Sequence, residues 1–206
     1  FNKPIGNWNT SNVTDMSHML RSTNAFNQDI GNWNTSKVTS MYCMFYYANK
    51  FNQDISRKAV SAENSSTGIV YTAWDTPDLT SLAYFLAYAK DFNNDSFGNW
   101  DLSNVTDITN ALINTNLSAE TYSNFLISLA TSNVQSDLTL KFVPSIRLDT
   151  ANQAHTTLTS DKNMTIYDGD SYTAEELIAF QQDEPYMIEL NSDTSGTTHT
   201  LTDNNM

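Results

Sequence analysis

Three histidines, one cysteine and one Asp-x-Asp element carry most of the reactive chemistry available in this chain, and their spacing gives them little to do. His18, His155 and His199 show no H-x-E or H-E-x-x-H spacing, so they do not read as a zinc or general-base set. Cys43 stands alone, which excludes an intramolecular disulfide and a cysteine-based zinc site. Asp168-Gly169-Asp170 offers two carboxylates that could contact Ca²⁺, but the remaining ligands of an EF-hand loop are missing. A tight turn after a strand is the plainer reading of that tripeptide. The sequence shows no nucleophile elbow, phosphate-cradling glycine loop or paired-carboxylate motif, and it has only six glycines from which to build such loops. We therefore expect no enzyme activity and no cofactor, with Asp168 and Asp170 as the only candidate ligands, for calcium.

What the sequence concentrates instead is tyrosine. Tyr42, Tyr46, Tyr47, Tyr84 and Tyr88 cluster at matching places in successive repeats. Counted from Trp33 and Trp74, Tyr46 and Tyr88 fall within one place of register. Aromatic rings with polar tips suit binding rather than catalysis. These five residues are the expected ligand-binding set, some of them in the core and some exposed.

The elements that must position them come from a repeat. Phe1, Phe26 and Phe51 are spaced 25 residues apart, and Ile5, Ile30 and Ile55 follow the same period, as do Trp8 and Trp33. A third unit starts at Phe51 and resumes at Trp74 after 16 extra residues; a fourth starts at Phe92. A fixed period of this size marks a solenoid whose units stack only on their neighbours. The β-prone run Gly68–Ala73 after a Ser-rich stretch reads as a hairpin or loop leaving one face. Within a unit, the Phe-to-Trp part suits a short strand with turns at Gly6-Asn7 and Gly31-Asn32. The later apolar set is Val13, Met16, Met19 and Leu20, then Val38, Met41, Met44 and Phe45, then Leu79, Leu82, Phe85 and Leu86. Its spacing suits a short helical or 3₁₀ turn. Asn, Thr, Ser and Asp fill the turns, where their side chains can bond nearby backbone or the next unit.

The phrase F-N-Q-D-I-x-x-W-x-T-S-x-V-T-x-M-x-x-M-F, present over residues 1–116, resembles the 25-residue repeat of the BspA-like leucine-rich-repeat surface proteins of the DUF285 type. The resemblance implies an α/β fold: a leucine-rich-repeat-like right-handed solenoid of about four coils, one short strand per coil. It also implies a secreted or surface-anchored bacterial protein, often an adhesin, and it carries no catalytic residues.

After Asn116 the repeat stops, and 117–170 is expected to be a C-terminal α/β cap. Leu117–Ala130 reads as an amphipathic helix with Ser118 as N-cap and Glu120 in its first turn. Leu138–Phe142 and Met164–Tyr167 are strand candidates, with a short helix over 150–158. Residues 171–206 form an acidic tail, linker or start of a next domain, with a helix over Thr173–Gln181 and a strand over Tyr186–Leu190. Because the chain begins directly on a repeat Phe with no polar cap, we expect it to be a piece of a longer protein.

Charge is uneven. Residues 1–60 hold six Lys/Arg and three Asp, a net +3, within a chain of net charge −13. A pI near 4.3 argues against a nucleic-acid partner. No apolar run approaches a membrane span, so no membrane insertion is expected. The expectation is an extracellular or cell-surface, adhesin-type module that recognises a protein or glycan on another cell or host surface. Alternatives are a structural spacer or stalk, or an ice-binding solenoid using the column Thr14, Thr39, Thr80 and Thr106.

Overall fold

In each unit, the residues after the Val-Thr or Leu-Thr pair form a ribbon of turns. In the computed structural model, which describes residues 1–96, 98–141 and 147–168, alternate amides of this ribbon have different jobs. The N–H groups of Met19, Arg21 and Thr23 donate to carbonyls three residues back, at 3.2, 3.1 and 3.3 Å. The N–H groups of Met16, His18, Leu20 and Ser22 donate instead to Ser40, Tyr42, Met44 and Tyr46 of the next unit, at 2.9, 2.9, 3.0 and 2.7 Å. Met41, Cys43, Phe45 and Tyr47 repeat this toward Ser81, Ala83, Phe85 and Ala87; Leu82, Tyr84, Leu86 and Tyr88 repeat it toward Asp107, Thr109, Ala111 and Ile113. Each ribbon thus satisfies half of its donors internally and half along the stack.

The turns are of i→i+3 kind, as the apolar spacing predicts, but they do not wind a helix. Every fourth residue has positive φ: His18 and Ser22, Cys43 and Tyr47, Tyr84 and Tyr88, Asn110 and Asn114, between 54° and 61°. A left-handed residue reverses the chain's curl and sends the next amide sideways to the neighbouring unit. For residues other than Gly this conformation costs roughly 1–2 kcal/mol each, offset here by the cross-unit hydrogen bonds.

The strand expected between Phe and Trp is absent from the described residues. That segment instead turns at Gly6-Asn7 and Gly31-Asn32, closed by Trp8 N–H to the Ile5 carbonyl and Trp33 N–H to the Ile30 carbonyl, each at 3.1 Å. The parallel pairing lies further along, as single bridges joining Asp15, Ser40, Ser81 and Asp107. The reason is that the amides after each Phe are taken by side chains. The Asn2 Oδ1 accepts from Asn27 N–H at 3.0 Å, Asn27 Oδ1 from Asn52 N–H at 3.0 Å, Asn52 Oδ1 from Asn93 N–H at 3.0 Å, and Asn93 Oδ1 from Ser118 N–H at 2.8 Å.

Rings stack along the same axis. Phe1, Phe26, Phe51 and Phe92 follow at 5.9, 6.1 and 6.0 Å between centroids, and Trp33, Trp74 and Trp100 at 6.3 and 5.4 Å. Each of these indoles donates to an Ile carbonyl of the preceding unit: Trp33 to Ile5, Trp74 to Ile30 and Trp100 to Ile55, at 3.1, 3.1 and 2.8 Å. Gly6 is required by this closeness, because a Cβ there would collide with the Asp29 carbonyl oxygen.

The extra residues of the third unit leave the stack as an antiparallel hairpin of β1 (Lys58–Val60) and β2 (Tyr71–Ala73), with Lys58 opposite Ala73. Beyond the repeats, α1 (Ala119–Thr131) starts where Ser118 Oγ accepts from Thr121 N–H at 3.1 Å. Its buried face carries Tyr122, Phe125, Leu126 and Leu129, which join the core of the repeats. Then β3 (Thr139–Lys141) pairs in parallel with β4 (Thr165–Tyr167), and helical turns over Asp149–Ala151, α2 (Asn152–Thr156) and Thr157–Asp161 connect them. Among the described residues this is a mixed α/β protein with few helices and two small sheets. The elements expected over Thr173–Gln181 and Tyr186–Leu190 lie outside the described residues.

Trp74 tests the stack. It is fully buried, so Trp74→Phe should lower the unfolding free energy by about 2–4 kcal/mol, through lost volume and the lost indole bond to the Ile30 carbonyl, which keeps its bond from Trp33 N–H. Urea denaturation measures it; a change under about 0.5 kcal/mol would refute the indole's role as a cross-unit tie.

Acid tests the turns. Ser17 and Ser103 donate to Asp15 and Asp101 and hold these carboxyls below their ordinary value of 3.8. Their stabilisation is complete above that value and is lost as pH falls through the depressed one. Unfolding free energy should therefore drop below about pH 4, and the drop should shrink in Asp15→Asn/Asp101→Asn. An unchanged acid limb in that variant would sink the assignment.

Candidate ligand-binding surface

The ribbon of turns has two apolar faces. Its columns Met16, Met41, Leu82, Ile108 and Leu20, Phe45, Leu86, Leu112 enter the main core. Cys43, Tyr46, Ala87, Tyr88 and Ile113 form a separate cluster, with Tyr47 and Tyr84 packed against it. The left-handed residues cause this division, since they turn side chains of alternate pairs away from the core. Tyr47, Tyr84 and Tyr88 are themselves left-handed, at φ 59°, 56° and 61°.

All five tyrosines meet in this cluster. Tyr47 stacks on Tyr88 at 4.4 Å and 13°; Tyr46 meets Tyr47, Tyr88 and Tyr84 edge-on at 4.7, 5.6 and 6.0 Å; Tyr42 meets Tyr84 edge-on at 6.1 Å. The pairing of Tyr88 with Tyr46 is one place off, since Tyr47 and Tyr88 each lie 14 residues after their tryptophan. Tyr88 matches Tyr47, not Tyr46, since both donate from equivalent left-handed positions to the next ribbon. Exposure also sorts them. Tyr42 is 39% exposed, Tyr47 and Tyr84 are half-buried, and Tyr46 and Tyr88 are only 6% and 7% exposed. Tyr46 and Tyr88 therefore form the floor, and a ligand would touch Tyr42, Tyr47 and Tyr84. Burial, then the neighbouring Cys43, pushes the Tyr42 phenol above its ordinary value of 10.0, so it is a neutral hydrogen-bond donor near neutral pH.

The first unit adds two residues that the tyrosine pattern does not reveal. His18 stands edge-on to Tyr42 at 5.0 Å, and the Arg21 guanidinium lies 5.2 Å from the Tyr46 ring centroid. Their signal in the sequence is positional: His18 occupies the place of Cys43 and Tyr84, and Arg21 the place of Tyr46 and Ala87.

The other sequence candidates lie elsewhere. Asp168 is fully buried and accepts from Arg147 Nη1 at 2.9 Å, with His155 Nε2 at 4.0 Å, so a cation already faces its carboxylate. Asp170 lies outside the described residues. Among the described residues no group of three or more His, Cys, Asp or Glu is placed to hold a metal ion. A shallow groove of about 250 Å³ between the fourth unit and α1, lined by Asp95, Asn124, Phe125 and Ser128, contains a single carboxylate. The column Thr14, Thr39, Thr80 and Thr106 is exposed, but the hydroxyls of Thr39, Thr80 and Thr106 donate to the preceding threonine's carbonyl.

The family described as "Mycoplasma protein of unknown function, DUF285" matches residues 1–73 and 64–140, well over half of the chain. The chain belongs to the DUF285 family. The match spans the four units of this DUF285 protein, its hairpin, α1 and β3, and so includes the tyrosine cluster. No curated protein and no solved structure matched the chain.

The division into floor and contact residues has a stability signature. Tyr46→Ala should lower the unfolding free energy by about 2–4 kcal/mol, as for a buried aromatic, and Tyr42→Ala by less than about 1 kcal/mol. Equal losses for the two variants in urea titrations would contradict the assignment.

Proposed function

We propose that this DUF285 chain is an adhesin-type binding module of the BspA-like kind, working outside the cell or on its surface. In this reading residues 1–116 make a right-handed, leucine-rich-repeat-like solenoid, and a cap that begins with α1 and includes β3 and β4 covers its trailing end. The module recognises a protein or glycan on another cell or host surface. It performs no covalent chemistry.

The observation that carries the reading is the gathering of five tyrosines from two successive units onto one outward face, separate from the core that holds the units together. A ribbon needing only its inner columns for stability has no structural requirement for Tyr42 at 39% exposure. Exposed aromatics around a desolvated floor are the usual composition of binding hot spots. The stack also supplies what such a face needs. Its backbone donors are committed along the repeat, so the rings sit on hydrogen-bonded scaffold rather than on free loops.

The test is to screen the purified chain on glycan and peptide arrays and repeat it with Tyr42→Ala. The expected result is a reproducible class of hits whose affinity falls at least about tenfold in the variant, with an unchanged thermal melt. Silence on both arrays, or hits indifferent to Tyr42, would overturn the reading and leave a structural spacer as the better account.

A further inference from the structure

We infer that the tyrosine surface takes a saccharide bearing a carboxylate or sulfate group, with Arg21 holding the anion. The inference rests on the proposal that this surface is a binding face, and it narrows what that face accepts.

Three observations carry it. The first is the state of the arginines. Arg57 pairs with Asp75 at 2.7 Å and Arg147 with Asp168 at 2.9 Å, whereas Arg21 faces no carboxylate among the described residues. Its guanidinium is held by the Tyr46 ring instead, at 5.2 Å from the centroid. A cation–ring contact leaves guanidinium N–H groups available to a second partner. A planar fork of donors presented in this way matches a carboxylate or sulfate.

The second is charge. The chain carries a net −13, yet the positions that build this face contain no Asp or Glu. They are Ser17, His18, Arg21 and Ser22 in the first unit and their counterparts at 42–43 and 46–47, 83–84 and 87–88, and 109–110 and 113–114. The carboxylates nearest these positions, Asp15 and Asp107, are bonded at its edge by the Ser17 and Thr109 amides at 2.7 and 2.9 Å, and Arg21 and His18 stand at its first-unit end. His18 and Arg21 are joined by a turn, Arg21 N–H donating to the His18 carbonyl at 3.1 Å. An anion at that end and a ring over Tyr42, Tyr47 and Tyr84 would be bound together.

The third concerns the class of molecule. A peptide recognised by an extended strand needs free backbone donors and acceptors, and a peptide helix needs a groove. The ribbon offers neither, because its amides at 41, 43, 45 and 47 are bonded to the next unit and those at 44, 46 and 48 close turns. What it offers is an aromatic face whose positions also carry hydroxyl and amide side chains, those of Ser17, Ser22, Thr109 and Asn114. Sugar rings present C–H faces to aromatics and hydroxyls to such side chains. A nucleic acid or other polyanion would need more than one arginine and one histidine to be held.

Matched pairs of sugars test this: lactose 3′-sulfate against lactose, and cellobiouronic acid against cellobiose, titrated calorimetrically into the whole chain. The charged member of each pair should bind at least about tenfold more tightly, with the advantage shrinking as NaCl is raised to about 0.5 M. Arg21→Gln should reduce the charged sugars to the affinity of their neutral counterparts, and Arg21→Lys should restore part of the difference. If charged and neutral sugars bind alike, and Arg21→Gln changes nothing, the anion assignment is wrong while the binding face stands. If no sugar binds but peptide-array hits still depend on Tyr42, the saccharide class is wrong. If nothing binds on any platform, the underlying reading fails as well.

Discussion

The structure depends on one constraint: every second amide of each turn ribbon must find its acceptor in the next unit. A buried N–H left without a partner costs about 1–3 kcal/mol, so the bonds spanning two ribbons cannot be given up piecemeal. To aim those amides along the stack, the chain accepts left-handed conformations at Cys43, Tyr47, Tyr84 and Tyr88, where glycine would be the ordinary choice. The same left-handed residues decide the side-chain directions. They send Met41 and Phe45 inward and leave Cys43, Tyr46 and Tyr47 in an outer cluster. The backbone requirement and the tyrosine surface are therefore one feature seen from two sides.

Side-chain ladders keep the ribbons in register while this happens. Each Asn after a Phe accepts from the equivalent amide one unit on, and each buried indole donates to an Ile carbonyl one unit back. In both ladders the later unit donates to the earlier one, opposite to the ribbon amides, and a slipped unit would lose both. This explains how the third unit carries 16 additional residues without disturbing its neighbours. The hairpin of β1 and β2 leaves after Ile55 and returns at Trp74, and Trp74 still stacks on Trp33 at 6.3 Å. The ladder ends without a break, because Ser118 takes the next Asn bond at the moment it caps α1.

The candidate site was partly legible in the residues. Tyrosines repeated at matching places in stacked units must come close together, and they do. Their order of exposure was not legible, because it depends on which positions take positive φ, and Tyr, Cys and His give no hint of that preference. Tyr47 and Tyr88 each lie 14 residues after their tryptophan, so the register itself was legible, and pairing Tyr88 with Tyr46 is one place off that count. His18 reads only as a histidine without ligand spacing, and Arg21 does not stand out, because neither repeats a tyrosine. Only their column, shared with Tyr46 and with Cys43, assigns them to the surface.

By itself the sequence determined the period, the stacking of Phe and Trp, the Asn-mediated ties, an insertion leaving the third unit as hairpin or loop, and the capped helix after it. Each of these follows from local chemistry repeated at a fixed interval: a ring needs a ring beside it, a turn needs an Asx or Ser partner, a helix needs a cap. The tertiary structure alone decided that the Phe-to-Trp segment would be turns rather than a strand, and that parallel pairing would sit at Asp15, Ser40, Ser81 and Asp107. It also decided which tyrosines face outward and that Arg21 lies over one of them. These outcomes depend on where each backbone amide finds its acceptor in another unit, and a single unit's residues do not contain that information.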